Sequence, residues 1–138
     1  MAELRGRVLV AGSGSGRALV LAEPLSFWGG VDASTGRVIE ERHPQAGASL
    51  GGRVVVMPGG RGSSSSSSVL AEAIRQGSGP AAIVLAEPDE IIALGALIPN
   101  LLDGSHYPVV VLEPADYRAI KTGDDVTVGE DGRVTCSS

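Results

Sequence analysis

Six consecutive serines, residues 63–68, lie between a glycine-arginine turn and an apolar helical pattern in the segment GGRGSSSSSSVLAEAI, residues 59–74. Serine is unfavourable inside a helix because its hydroxyl competes for backbone hydrogen bonds, yet it is favoured where a helix begins. One or two serines suffice for a cap, so the run is either a low-complexity spacer or a set of hydroxyls held at a helix start. A glycine turn before a helix start gathers backbone N–H groups around an anion. Since loops between a strand and its crossover helix are short, a site for a substrate carboxylate or phosphate is favoured over a spacer.

Other motifs carry weaker chemical signals. The segment GSGSG, residues 12–16, lacks the third glycine and the following helix of a dinucleotide fingerprint, and the glycine-rich turn at 59–62 lacks the lysine of a P-loop. His43 and His106 lie far apart in the sequence without a spaced third ligand, which is weak evidence for a metal site. The acidic segment EPDE, residues 87–90, is most simply the first turn of a helix. The serine run is therefore the main candidate site.

Composition bounds the class of protein. A chain of 138 residues with 43% hydrophobic and 20% charged residues is expected to form one globular domain, residues 1–138. The net charge of −5, without a cluster of Lys and Arg, argues against nucleic acid as a partner. No apolar run is long enough to span a bilayer, and the charged start does not resemble a signal peptide. The lone Cys136 fits a reducing compartment, so the expected location is the cytoplasm.

Apolar runs bounded by Gly and Pro predict strands alternating with helices in the middle of the chain. GSGSG is expected to join the first two strands as a hairpin or a bulged strand. A helix is expected to stop at Gly77, and a second one to end at Pro99. The predicted strands are 6–12, 16–25, 37–40, 51–60, 81–88 and 107–114. One helix is predicted directly after the serines and a second at 88–100. Residues 115–123 are predicted to form a short helix or turn, and the end of the chain a hairpin around 130–132. This order predicts an α/β domain with right-handed crossover helices and a small barrel-like or layered sheet.

Four segments in this order resemble the small subunit, or swivel domain, of the aconitase X family. They are PLSFWGGVDASTG at 24–36, GGRVVVMPGGRGSSSSSSVLAEAI at 51–74, PAAIVLAEPDEIIALGALI at 80–98 and PVVVL at 108–112. The resemblance implies a swivelling β/β/α domain that closes over a large catalytic subunit, in a heterodimer or a higher assembly. It also implies that this chain holds no metal or cofactor itself, that the iron–sulfur cluster belongs to the large subunit, and that the isolated chain is inactive.

The same resemblance assigns roles to the serine segment. Ser63, the first serine after the glycine turn, is implied to be the base that removes a proton from the substrate, with Ser64 as the runner-up. Arg61, Gly62, Ser64 and Ser65 are implied to contact the small anionic substrate. A serine hydroxyl is a poor base unless N–H donors and positive charge favour its alkoxide, and a helix start supplies such donors. Proton removal beside a carboxylate, with loss of hydroxide, is a hydro-lyase step.

The resemblance implies one of two alternative substrates. One is cis-3-hydroxy-L-proline and the other is mevalonate 5-phosphate. The unbroken serine run and the segment LAEPDEIIALGA, residues 85–96, resemble the hydroxyproline branch more closely. A non-catalytic swivel-like domain that binds a small anion or a partner is the remaining alternative.

Overall fold

The computed structural model describes residues 2–60, 65–104 and 106–138. Its elements alternate between strands and helices through the middle of the chain, and strands dominate both ends. The strands are β1 Ala2–Arg5, β2 Arg7–Val10, β3 Gly14–Val20, β4 Val54–Met57, β5 Ala82–Leu85, β6 Val109–Val111, β7 Asp125–Val128 and β8 Arg133–Ser137, and the helices are α1 Phe27–Gly30, α2 Ser65–Gln76, α3 Glu90–Asp103 and α4 Pro114–Tyr117.

The described strands form one sheet in the order β1-β8-β7-β3-β4-β5-β6-β2. Strands β3 to β6 are parallel, and α2 and α3 cross over between them. Strand β3 is shared, because its first half pairs with β7 in antiparallel fashion and its second half pairs with β4 in parallel fashion. The antiparallel strands β1, β8 and β7 can therefore lie over one face of the parallel strands while the helices cover the other.

Two cores result from the alternation of side chains along β4 and β5. Val55 and Met57 pack with Leu70 of α2 and Ile92 of α3 on the helical face. Val54 precedes Val55 in β4, so its side chain points to the opposite face and packs with side chains of β7 and β8. Strands that are buried on both faces read as continuous apolar runs, which is why the sequence reveals them. The molecule is a layered β/β/α domain, and the predicted fold class is confirmed.

Several local expectations were wrong. Strands β2 and β3 do not form a hairpin, because β2 pairs with β6 at the far end of the sheet. The glycines of the connection instead allow close backbone approach: a Cβ on Gly16 would collide with the carbonyl oxygen of Gly52. Helix α3 does not end at Pro99 but continues to Asp103, followed by Gly104 in the left-handed conformation. The expected strand at 37–40 is reduced to isolated bridges.

No helix in the described part of the chain is long and apolar enough to cross a membrane.

Candidate functional site

Three loops meet at the carboxyl edge of the parallel strands. The segment after β3 reaches the segment after β4 through a parallel bridge between Leu25 and Gly60. The backbone N–H of Gly60 in turn donates to a side-chain oxygen of Asp89, which follows β5. Helices α2 and α3 both begin at this edge, because each follows a parallel strand of the same sheet. In open α/β sheets this edge is where ligands bind, and helix N-termini there favour anions.

The second part of the serine run belongs to α2. Ser65 to Ser68 form its first turn; Ser66 and Ser67 are buried, whereas Ser65 and Ser68 are exposed. These four serines are therefore part of a packed helix and not a spacer. The helix continues to Gln76 and is followed by Gly77 at a φ of +81°, as the sequence predicted.

The Ser66 hydroxyl holds the turn formed by SFWGG, residues 26–30, against the start of α2. Its Oγ accepts a hydrogen bond from the backbone N–H of Trp28 at 3.2 Å and lies 3.3 Å from the Oγ of Ser26. The Ser26 hydroxyl donates its own proton to the carbonyl oxygen of Trp28 at 2.9 Å, so Ser66 is the donor of the hydroxyl pair. Phe27 is fully buried beneath this network, while the Trp28 side chain remains 62% exposed.

Asp89 connects the start of α3 to the turn after β4. One carboxylate oxygen, Oδ1, accepts from the N–H groups of Ile91 and Ile92 at 3.0 Å each, which is the geometry of a helix N-cap. The other oxygen, Oδ2, accepts from the N–H of Gly60 at 2.8 Å. The sequence predicted the helix start at 87–90, and this is confirmed. The contact with Gly60 has no signal in the sequence, because the two residues are distant along the chain.

The predicted site residues divide between the described and the undescribed parts of the chain. Ser65 is the exposed first residue of α2. Arg61, Gly62, Ser63 and Ser64 lie outside the described residues, so their assigned roles stay predictions. Both residues that flank this segment are described: Gly60 is bonded to Asp89, and Ser65 leads directly into the Ser66 network.

Neither histidine contributes to this edge through a described contact. His43 is buried, and its Nδ1 accepts from the N–H of Gln45, which leaves Nε2 to donate to the carbonyl oxygen of Glu23 at 3.1 Å. Those bonds explain His43 as a structural residue that fixes a loop. His106 is exposed and adjoins the core residue Tyr107.

The described residues do not fit an iron–sulfur cluster. Among them, no group of three or more His, Cys, Asp and Glu side chains could hold a metal ion. Cys136 is buried on β8, and its thiol donates to Oδ2 of Asp124 at 3.2 Å. Burial, together with this bond, raises the pKa of the Cys136 thiol to about 11, which disfavours the thiolate that a metal requires.

Comparison with known proteins agrees with the fold and the segment order. The family model described as "Aconitase X swivel domain" matches residues 3–136. The chain superimposes on a chain of the crystal structure of Thermococcus kodakaraensis aconitase X in its holo-form with a TM-score of 0.88, at 34% identity and over 100% of both chains. The chain therefore belongs to the aconitase X swivel-domain family.

Two curated relatives differ in size. Over 106 residues the chain is 53% identical to the cis-3-hydroxy-L-proline dehydratase of Pseudomonas aeruginosa; this alignment covers 77% of the chain but 18% of that relative. Over 134 residues it is 40% identical to the phosphomevalonate dehydratase small subunit of Methanosarcina acetivorans, and the match covers 96% of the chain and 89% of that subunit. The chain thus spans about a fifth of the first relative and most of the second.

Proposed function

We propose that this chain, as a single swivel domain over residues 1–138, is the small subunit of a two-chain iron–sulfur dehydratase that acts on cis-3-hydroxy-L-proline. The observation that carries this proposal is the 53% identity to a protein of that name. The alignment covers 18% of that relative, whereas the match to a separate small subunit covers 89% of that subunit, which supports a division of the catalytic parts between this chain and a large subunit. The iron–sulfur cluster would belong to that subunit, since the described residues of this chain offer no ligand set for it.

In this proposal the chain supplies the base. Ser63 takes the proton from the carbon that bears the substrate carboxylate, and hydroxide leaves the neighbouring carbon. In the sequence Ser63 is two residues before Ser65, the first residue of α2. The first turn of α2 lies at the positive end of the helix dipole, which stabilises a developing alkoxide. Arg61, Gly62, Ser64 and Ser65 would contact the substrate anion.

Dehydration of mevalonate 5-phosphate is the second candidate activity. It is favoured by the match over nearly the full length of a separate chain named phosphomevalonate dehydratase small subunit. The same edge of the sheet would then face a phosphate as well as a carboxylate, and both anions suit a helix N-terminus. The third candidate is a swivel domain that binds a small anion or a partner without turnover. For all three we place the protein in the cytoplasm, on the basis of its lone cysteine.

The test is a tagged pull-down of the chain from its native host under anaerobic conditions, with iron analysis and mass spectrometry. We expect a larger iron-bearing chain to be captured. The purified complex is then offered each of the two substrates, and we expect it to dehydrate cis-3-hydroxy-L-proline. Turnover of mevalonate 5-phosphate alone would transfer the assignment to the second candidate. Recovery of the chain alone and without iron would support the binding module.

A further inference from the structure

We propose that Asp89 is a positioning residue for the catalytic serine segment. The inference rests on the proposed function, because it treats the residues after Gly60 as the segment that carries the base. Asp89 touches neither the substrate nor the base in this account. It acts through the backbone of Gly60, the last described residue before Arg61.

The carboxylate of Asp89 has two separate tasks, one for each oxygen. Oδ1 caps α3 through Ile91 and Ile92. Oδ2 binds the Gly60 N–H at 2.8 Å, a charge-assisted bond of the stronger kind. A neutral cap such as serine would satisfy the helix equally well, because serine and aspartate are comparable N-caps. The helix cap therefore does not require the second oxygen, whose hydrogen bond is the one from the Gly60 N–H.

The local packing around Gly60 supports this interpretation. Gly60 does not have a positive φ, so its backbone conformation does not require glycine. A Cβ there would instead lie 2.8 Å from Oδ2 of Asp89 and 3.2 Å from Cγ1 of Ile92. On its other side, Gly60 forms the parallel bridge with Leu25. The residue is thus held between two loops, and the glycine is needed because the Asp89 carboxylate approaches so closely.

The far end of the segment is held independently. Ser66, the residue after Ser65, accepts a hydrogen bond from the backbone N–H of Trp28. The described residues on both sides of the segment that carries the proposed base are therefore hydrogen-bonded to neighbouring loops of the same edge. A misplacement of about 1 Å at a reacting group costs up to roughly 100-fold in rate. Loss of the Asp89 tie is expected to act on the chemical step in this way.

The test variant is Asp89→Ser in the complex with the large subunit, because serine keeps the cap and removes the second oxygen. We expect kcat to fall about 10- to 100-fold while KM changes less than about threefold. The melting temperature of the chain is expected to change little, since the cap is retained. The matched control is Asp32→Ser: Asp32 accepts from the N–H and the hydroxyl of Ser34 in a turn, and we expect kcat within twofold of wild type.

A second variant approaches the same contact from the other side. Gly60→Ala retains the α3 cap but inserts a Cβ against the carboxylate, and we expect it to lower kcat as well. If both variants act through one contact, the double variant will lose less than the product of the two single losses. Should Asp89→Ser fail to assemble with the large subunit, Gly60→Ala decides the question alone.

The outcomes separate this inference from the proposed function. Wild-type kcat for Asp89→Ser or Gly60→Ala, with Ser63→Ala inactive in the same complex, would overturn the role of Asp89 and leave the function intact. A Ser63→Ala complex with near-wild-type turnover would instead overturn the proposed base. An equal loss in Asp32→Ser and Asp89→Ser would show a general structural effect and would also refute the positioning role.

Discussion

Replacement of Ser66 by alanine tests whether the serine run is divided between structural and chemical positions. The Ser66 hydroxyl accepts from the Trp28 N–H and donates to the Ser26 hydroxyl. Alanine at this position removes the hydrogen-bond partner of both groups, and water cannot easily replace it because Ser66 is only 3% exposed. We therefore expect Ser66→Ala to destabilise the chain even though alanine is the better helix former.

The size of the effect follows from two opposing contributions. Leaving buried polar partners unsatisfied costs about 1–3 kcal/mol. The gain in helix propensity on replacing serine by alanine is about 0.5 kcal/mol. The net loss is about 0.5–2.5 kcal/mol, which for a domain of this size corresponds to a fall in Tm of roughly 2–10 °C.

The chain provides its own control two residues further along the same helix. Ser68 is exposed, so Ser68→Ala removes a hydroxyl in contact with water and gains the same propensity. We expect its Tm to be unchanged or slightly raised. Both variants are compared by thermal unfolding followed by circular dichroism at neutral pH. Equal Tm values for Ser66→Ala and Ser68→Ala would refute the structural role assigned to Ser66.

Three further predictions concern other parts of the chain. Gly36→Ala is expected to lose about 2–5 kcal/mol of unfolding free energy in urea titrations, because φ is +74° and a Cβ would collide with the Ser78 carbonyl oxygen, whereas Gly47→Ala, with a φ of +88° but open space, should lose only about 1–2 kcal/mol; equal losses would contradict the steric explanation. Burial holds the pKa of the Cys136 thiol at about 11, against 9.0 for the free group, so the folded state stays protonated where the unfolded state ionises. The unfolding free energy of wild type relative to Cys136→Ala should therefore fall from pH 9 to 11, and a constant difference would disprove the shift. Trp28, the only tryptophan, is 62% exposed beside the candidate site, so its emission should shift to shorter wavelength when the large subunit binds; an unchanged spectrum would place the interface elsewhere.

The central part of the fold could be predicted because the buried strands there are recognisable from their own residues. Strands β4 and β5 are buried on both faces and appear as uninterrupted apolar runs. Gly77 ends α2 through its positive φ, a local requirement that glycine meets. Features that depend on distant partners were missed: β1 is the short segment AELR, with a single buried side chain, and it becomes a strand by pairing with β8 at the other end of the chain. Pro99 was wrongly expected to end α3, since one missing N–H did not outweigh the tertiary packing of this buried residue.

The candidate site was predicted in part for the same reason. The serine run identified the start of α2, and the acidic segment identified the start of α3. The sequence could not reveal that Asp89 uses its second oxygen on Gly60, because that contact joins residues 29 positions apart. It also could not distinguish buried Ser66 from exposed Ser65, since identical residues differ only in the face of the helix they occupy.

The most direct test of the account is the rate at which the purified two-chain complex dehydrates cis-3-hydroxy-L-proline with Ser63→Ala or Ser64→Ala in this chain. Removal of a general base typically costs about 10²- to 10⁴-fold. We expect a loss of this size for Ser63→Ala with substrate binding retained, and a smaller loss for Ser64→Ala. Turnover by the Ser63→Ala complex within a few-fold of wild type would contradict the proposal that this chain supplies the base through Ser63.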